Sequence, residues 1–397
     1  MLRFLIFSAF SIFTAIHARS QQWDFNQSDK SVDSLPQRSF LQIRYQVGRL
    51  ANTNTDAIKY IESNPYQSVD LRYGIFGHGK KMWHQLHHYP TYGVGISKVL
   101  FQPTDNILGN PWTAYIFYNQ PFLKLKTSSF GYDFSFGLAS NWKPYDQQTN
   151  PEQKAIGSHV TGQLGFAVQY DFKLSNRLDG IIGLSLTHFS NGRIRSPNRG
   201  LNLYGLNASV RYRLGSTGIF TRQKMAGSFL RVANIRHEIA TFHPHNEFYV
   251  VGSLGAVTTF QDINNRSLSY LAGSVSIDIS HHFSYTHKLG IGLDWSYDES
   301  LKVVYQNDYP AGGVPTYLLY WPGVHLSYEY MVHRWTFITQ AGINLKVTGD
   351  KGLGYGRLGL RYDLTKHIFL RVGLRVYKFV ASDFLEWGIG YSWAKRM

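Results

Sequence analysis

Strict alternation of apolar and polar residues near the C-terminus is the sequence feature that most constrains the fold. In the string FLEWGIGYSW, apolar Leu385, Trp387 and Ile389 interleave with a glutamate and two glycines. Successive side chains of a β-strand point to opposite faces, so this period of two predicts a strand with one wholly apolar face. The same period recurs over 355–364 and 367–379. The end of the chain is therefore predicted to be a run of antiparallel strands.

Alternation alone fits a soluble barrel with an apolar interior as well as a membrane barrel with an apolar exterior. Strand length separates the two, because crossing a bilayer at a tilt takes about 9 to 11 residues and a globular strand has about 5 to 6. Most segments reach the larger figure, and aromatic residues gather at their ends as interfacial girdles require. Sixteen candidates are found, at 39–50, 66–75, 91–101, 112–122, 129–141, 158–172, 179–189, 203–214, 246–260, 266–283, 286–297, 322–331, 335–345, 355–364, 367–379 and 385–393. We expect an all-β fold, a transmembrane antiparallel up-and-down β-barrel of about 12–16 strands.

The first twenty residues combine Arg3, an apolar run and small residues near Ser20, which is typical of a cleaved signal peptide over 1–20. A membrane anchor is the alternative. We expect the rest, 21–397, to be a single barrel domain with halves at 39–214 and 246–397. The alternative is a small N-terminal barrel followed by a second barrel-like half. In such a barrel the connections after odd-numbered strands should be long and those after even-numbered strands short. The segments 76–90 and 215–245 do not fit this alternation.

Composition excludes several classes of site. The chain has no cysteine, so disulfides, thiolate metal sites and cysteine nucleophiles are excluded. The net charge of +15, behind a signal peptide, indicates a phosphorylated lipid surface rather than nucleic acid. His78, His84, His87 and His88 crowd one segment, but their spacing matches no metal signature, and we interpret them as loop histidines beside an aromatic girdle. We expect neither a metal nor another cofactor.

The stretch LSLTHFSNGRIRSPNRGLNLYGL is the candidate for chemistry. His188 and Ser190 are two apart, so in a strand they share a face with α-carbons about 6.5 to 7 Å apart. Apolar residues occupy the preceding even positions, which places this pair on the lipid-facing side, and Asn202 falls in the apolar register of the next strand. Spacing alone also fits a strand end where polar residues meet water beside a turn.

HFSNG, with PN downstream, resembles the active-site signature of the lipid A 3-O-deacylases, also called acyloxyacyl hydrolases, and the ending ASDFLEWGIGYSW resembles the longer members. The resemblance implies Ser190 as nucleophile and His188 as its base. It also implies that Asn191 helps to form the oxyanion hole, with the Gly192 amide as a helper.

One departure concerns the third member of the triad. Well-known members have a glutamate where this sequence has Asn202. An amide can orient an imidazole but cannot stabilise its positive charge. Three outcomes stay open: Asn202 orients His188 well enough, Asp171 or Asp179 substitutes as the acid, or activity is lost.

The function implied is an outer-membrane esterase that removes an ester-linked acyl chain from lipid A or lipopolysaccharide at the outer leaflet of a bacterial cell. Arg193, Arg195 and Arg199 could hold the phosphates of such a lipid, or could be ordinary cations among phosphorylated lipids. The first rival is a porin or transporter with a vestigial motif, since several arginines are predicted to line the lumen. The second rival is a structural or adhesin-like barrel whose loops bind a partner.

Overall fold

A computed structural model describes residues 39–51, 64–79, 81–214, 238–258, 268–309, 313–349, 351–379 and 381–393. Each of the sixteen predicted segments overlaps one observed strand, which confirms the all-β antiparallel fold class. The predicted signal peptide, 1–20, and most of the poorly fitting segment 215–245 lie outside the described residues. The other poorly fitting segment, 76–90, holds a short helix, α1 (Met82–Leu86).

The first eight strands close into an antiparallel barrel, in which β1 pairs with both β2 and β8. Each strand pairs with its neighbours in sequence, so the topology is up-and-down. A short helix, α2 (Asp105–Leu108), lies between β3 and β4. The strands are β1 (Ser39–Leu50), β2 (Pro65–Phe76), β3 (Thr91–Leu100), β4 (Gly109–Lys124), β5 (Ser128–Trp142), β6 (Val160–Lys173), β7 (Leu178–Ser190) and β8 (Leu201–Arg213).

The last eight strands close into a second antiparallel barrel, in which β9 pairs with both β10 and β16. A four-residue helix, α3 (Leu301–Val304), and a 3₁₀ turn (Thr316–Leu319) lie between β11 and β12. The strands are β9 (His245–Thr258), β10 (Ser269–His282), β11 (His287–Asp298), β12 (Tyr320–Val332), β13 (Trp335–Asn344), β14 (Gly354–Asp363), β15 (Ile368–Tyr377) and β16 (Ala381–Ser392).

The single barrel expected over 21–397 is thus corrected to two barrels of eight strands, which correspond to the predicted halves 39–214 and 246–397. The physical reason is that alternation fixes which face each side chain takes, whereas closure depends on which distant strands pair. Here the end of β8 pairs with the start of β1, with Phe40 opposite Arg213. No feature of an individual strand reveals that pairing.

Both barrels carry apolar side chains outside and polar side chains inside. Outward Ile43, Leu184 and Leu254 are each at least 60% exposed. Inside the first barrel, Asp133 pairs with Arg72 at 2.7 Å and with Arg44 at 3.0 Å, and all three side chains are buried. An apolar exterior around a charged interior is the arrangement of a transmembrane barrel. In the described part of the chain, no helix is long and apolar enough to cross a membrane.

The connections of the first barrel after β1, β3, β5 and β7 lie at one end, which we call its loop end, and those after β2, β4 and β6 lie at the other, which we call its turn end. An apolar cluster fills the lumen at the loop end. Its members include Phe101 and Trp142, residues Ala155 and Ile156 of the β5–β6 connection, and Phe189 of β7. Phe189 points inward between His188 and Ser190, so packing of this cluster fixes the strand that carries the candidate motif.

Candidate active site

The hairpin of β7 and β8 brings the motif residues together at the loop end. His188 and Asn202 are directly opposite each other in the antiparallel register. Both belong to the outward register. Leu184, four positions before His188 on β7, is 64% exposed, and Tyr204, two positions after Asn202 on β8, is 42% exposed. Ser190 ends β7 two residues beyond His188. The predicted lipid-facing side is therefore the side on which the structure places His188, Ser190 and Asn202.

A short hydrogen bond joins His188 to Asn202. The Nδ1 of His188 lies 2.6 Å from the Oδ1 of Asn202, and the asparagine is buried, with 4% of its surface exposed. Because a carboxamide oxygen can only accept, Nδ1 must donate. The neutral ring then carries its proton on Nδ1 and leaves Nε2 as a lone-pair acceptor. That is the tautomer a general base needs.

Asn198 is a site residue that sequence reasoning missed. Its Nδ2 donates to the Oγ of Ser190 at 2.7 Å, and its Oδ1 accepts from the backbone N–H of Asn191 at 3.2 Å. Pro197 and Asn198 form the PN of the signature, but the resemblance implied no role for either residue. The position of PN downstream of HFSNG in the signature was the available signal that Asn198 has a role of its own.

The β5–β6 connection supports the site from the side. The amide Nδ2 of Asn191 donates to the Oγ of Ser158 at 3.1 Å, and that hydroxyl donates to the carbonyl of Val160 at 2.6 Å. Backbone bonds also run from Arg199 N–H to the Lys154 carbonyl, at 3.2 Å, and from the next residue's N–H to Ala155. Asn191, the predicted oxyanion residue, is thereby held at both its side chain and its backbone.

Gly200 lies against the imidazole. Its φ of +72° is in the left-handed region that favours glycine, and a Cβ added there would lie 2.7 Å from Cε1 of His188 and 3.4 Å from its Nε2. Only a residue without a side chain leaves the ring in this position. The close approach of the Gly200 backbone therefore restricts the position of the His188 imidazole.

Asp171 and Asp179, the predicted substitute acids, lie far from His188. Asp171 is paired with Ile181 and Asp179 with Arg211 in the strand register, toward the turn end. Along β7 these positions are seven and nine residues from His188, which is about 23 and 30 Å at 3.3 Å per residue. Both carboxylates are instead bound to Arg211, at 2.8 and 3.1 Å. The structure rules out this substitution.

The remaining predicted site residues lie in the connection between β7 and β8. Gly192 and Arg193 both have positive φ, of 64° and 69°, so the chain turns sharply just after Asn191. Arg195 and Arg199 are exposed. The three predicted arginines therefore lie in one connection, immediately after Ser190 and Asn191.

The predicted loop histidines are more buried than expected. His78, His84 and His87 are each at most 7% exposed in the connection after β2, at the turn end of the first barrel. The Nδ1 of His84 accepts from the Gly79 N–H at 3.3 Å, and the ring packs against Trp83. Among the described residues, no group of three or more potential ligands could hold a metal ion.

Sequence comparisons match both barrels to one family. Residues 69–211 match the model described as lipid A 3-O-deacylase (PagL), and residues 246–396 match the acyloxyacyl hydrolase C-terminal domain. The chain belongs to the lipid A 3-O-deacylase family. The first match contains His188, Ser190 and Asn202, and the second covers nearly all of the second barrel. No curated protein sequence matches the chain.

Solved structures resemble this family member only weakly. The outer membrane enzyme PagL is 12% identical and aligns with 42% of this chain and 97% of its own, with a TM-score of 0.30. Outer membrane phospholipase A from Escherichia coli is 10% identical over 91% of this chain and 93% of its own, with a TM-score of 0.17. A channel from Pseudomonas putida F1 is 9% identical over 94% and 99%, with a TM-score of 0.20. Similarities this weak carry no information about chemistry.

Proposed function

We propose that this protein is an outer-membrane esterase that removes an ester-linked acyl chain from lipid A or lipopolysaccharide. The observation that carries the proposal is the bond between His188 and Asn202 on the lipid-facing side of β7, with Ser190 two residues away. Family membership supplies the substrate class. A substrate dissolved in water would rarely meet polar groups on the outside of a barrel, whereas a membrane lipid lies against them.

The proposed reaction begins with Ser190. Its Oγ attacks the ester carbonyl carbon while its proton passes to Nε2 of His188, and a tetrahedral oxyanion forms. The ester C–O bond then breaks, the sugar oxygen leaves with the proton from His188, and the acyl group stays on Ser190. Water attacks this acyl-enzyme, giving its proton to His188, and the fatty acid is released as Ser190 regains its proton.

Two asparagines support the proposed oxyanion site in different ways. Asn198 already donates its amide to the Ser190 Oγ at 2.7 Å, so its N–H lies close to where the negative oxygen would develop. Asn191, the residue implied by the resemblance, uses its own amide to bind Ser158. In this conformation the Asn191 N–H donates to Asn198, so we assign the side-chain donation to Asn198 and propose the Gly192 backbone N–H as the second donor.

Asn202 is proposed to orient the imidazole but not to stabilise its charge. When His188 accepts the proton, an amide oxygen stabilises the cation less than a carboxylate would, because the amide has no negative charge to attract the imidazolium. We therefore expect a working but slow enzyme. Arg193, Arg195 and Arg199 are proposed to bind the phosphates of the lipid head group.

The porin or transporter alternative receives no support from the lumens. In the described part of the second barrel, Arg357 pairs with Glu386 at 2.6 Å and Lys288 with Glu329 at 2.7 Å, all fully buried. Barrels of eight strands are just wide enough for side chains to fill. Their charged residues serve to pack the interior rather than to line an aqueous pathway.

Mass spectrometry of lipid A from cells that express the protein tests the proposal. The wild type should produce lipid A that lacks one ester-linked acyl chain, and Ser190→Ala and His188→Ala should leave it intact. Ser140→Ala, which changes an exposed outward serine on β5, is the matched control and should behave as the wild type. Lipid A that is unchanged by the correctly assembled wild type would refute the proposed activity.

A further inference from the structure

Two connections of the second barrel pack into one ordered unit, which we call the ledge. It consists of residues 301–305, 316–319 and 345–349. The Tyr305 hydroxyl lies 3.0 Å from Oγ1 of Thr348 and accepts from the Gly349 N–H at 2.7 Å, and Thr348 donates to the Leu318 carbonyl at 2.8 Å. Leu301, Leu319 and Trp321 form a buried cluster beneath these contacts. The ledge is therefore held together by its own hydrogen bonds and packs on its own buried apolar cluster.

The exposed surface of the ledge is mostly apolar, although Lys302 and Thr316 are exposed as well. Val303 and Val304 of α3 are 45% and 49% exposed, and Tyr317, Leu345 and Val347 are 64%, 60% and 56% exposed. Connections that face water are normally polar, and contiguous apolar surface usually marks an interaction site. These five side chains therefore need a partner that buries them.

The ledge continues the lipid-facing wall of the barrel. Along β13 the outward register runs through Ala341 and Ile343, and Leu345 and Val347 extend the same alternation beyond the strand end. Lys346, between them, turns its Nζ to the Tyr317 carbonyl at 2.8 Å and over the Tyr317 ring. The surface that meets acyl chains at Ile343 thus passes without interruption onto the ledge.

The length of this outward row indicates the depth that it reaches. Trp335, at the other end of β13, packs against Tyr362. From Trp335 to Val347 is twelve residue steps, or roughly 40 Å along an extended strand. At a tilt of about 40° the row rises roughly 30 Å, whereas the apolar band of such barrels is about 25 Å tall. Val347 is therefore expected at the boundary between acyl chains and head groups, with α3 beside it.

We propose that the ledge lies in the membrane interface and is covered by lipid, so that α3 anchors the second barrel to one leaflet through Val303 and Val304. Gly349 provides the link, because a Cβ there would lie 2.7 Å from Leu301 and 3.4 Å from Val304. The helix and the extended row of β13 are held side by side at this point. The ledge thus widens the apolar outer surface at this end of the second barrel.

The absence of native cysteine makes the test direct. Single variants Val303→Cys and Val347→Cys of the full chain, labelled with bimane and reconstituted in vesicles of phosphatidylcholine and phosphatidylglycerol, report local exposure. Ile343→Cys is the matched lipid-wall control, and Asn307→Cys, an exposed polar position in the same connection as α3, is the aqueous control. Heat-modifiable migration on gels confirms that each variant is folded.

Lipids that carry a doxyl group near the head group should quench the Val303→Cys and Val347→Cys labels, and iodide should quench them several-fold less than the Asn307→Cys label. Quenching by lipid should not change when the protein is diluted in lipid. Iodide quenching at Val303→Cys equal to that at Asn307→Cys would overturn the proposal. Protection that disappears on dilution would also overturn it, because the partner would then be a second copy of the chain.

Discussion

Replacing Asn202 by aspartate tests the proposal that Asn202 orients the His188 imidazole but does not stabilise its positive charge. Aspartate has the same shape as asparagine, so its Oδ1 can keep the 2.6 Å contact with Nδ1 of His188 while adding the missing charge. Giving the imidazolium a charged acceptor in place of a neutral amide is worth about 1.5 kcal/mol in the step that creates the imidazolium. Since about 1.4 kcal/mol is tenfold in rate, kcat should rise about tenfold.

The assay is the initial rate of fatty-acid release by purified, refolded protein acting on lipid A in mixed micelles. Asn202→Ala should lower kcat at least about tenfold, because the imidazole loses the group that fixes its tautomer. The double variant His188→Ala, Asn202→Asp should show no gain, since the added charge acts through the imidazole. A correctly folded Asn202→Asp protein with unchanged or lower kcat would refute the assigned role of Asn202.

Three further substitutions probe the site and the barrel. Gly200→Ala should lower kcat about tenfold, because the new Cβ would lie 2.7 Å from Cε1 of His188 and would displace the ring. A normal kcat would show that the ring tolerates the shift. Asn198→Ala should lower kcat about 10²-fold by removing the donor to Ser190, with KM little changed; a pure KM effect would contradict that role. Asp133→Ala leaves two buried arginines without their carboxylate and should destabilise the first barrel by about 3 kcal/mol in urea unfolding, without changing kcat of the folded fraction; unchanged stability would refute the pairing argument.

The sequence was sufficient to predict the strands and their faces, because each strand carries its own alternation. Leu184 and Arg211 are examples: the first is exposed on the outside and the second is buried in the lumen, as their registers predict. Closure into two barrels was not predicted as the main expectation. It depends on pairs such as Phe40 with Arg213, which are far apart in sequence and leave no local pattern.

The candidate site was predicted in part for a similar reason. Period two placed His188 and Ser190 on one face, and the apolar register of the next strand placed Asn202 on the same outward side. The structure adds that Asn202 lies directly opposite His188. Contacts made by the irregular connections could not be predicted, because loop conformation has no simple period. These are the bond from Asn198 to Ser190 and the contact of Ser158 with the neighbouring loop.

Covalent trapping of the nucleophile tests the central claim most directly. A long-chain alkyl fluorophosphonate reacts with a serine that an adjacent base has activated, and tandem mass spectrometry of the labelled protein locates the adduct. We predict a single adduct on Ser190 that is lost in His188→Ala and that abolishes fatty-acid release from lipid A in proportion to labelling. An adduct on another residue, or full lipid A deacylation by protein whose Ser190 is completely modified, would contradict the account.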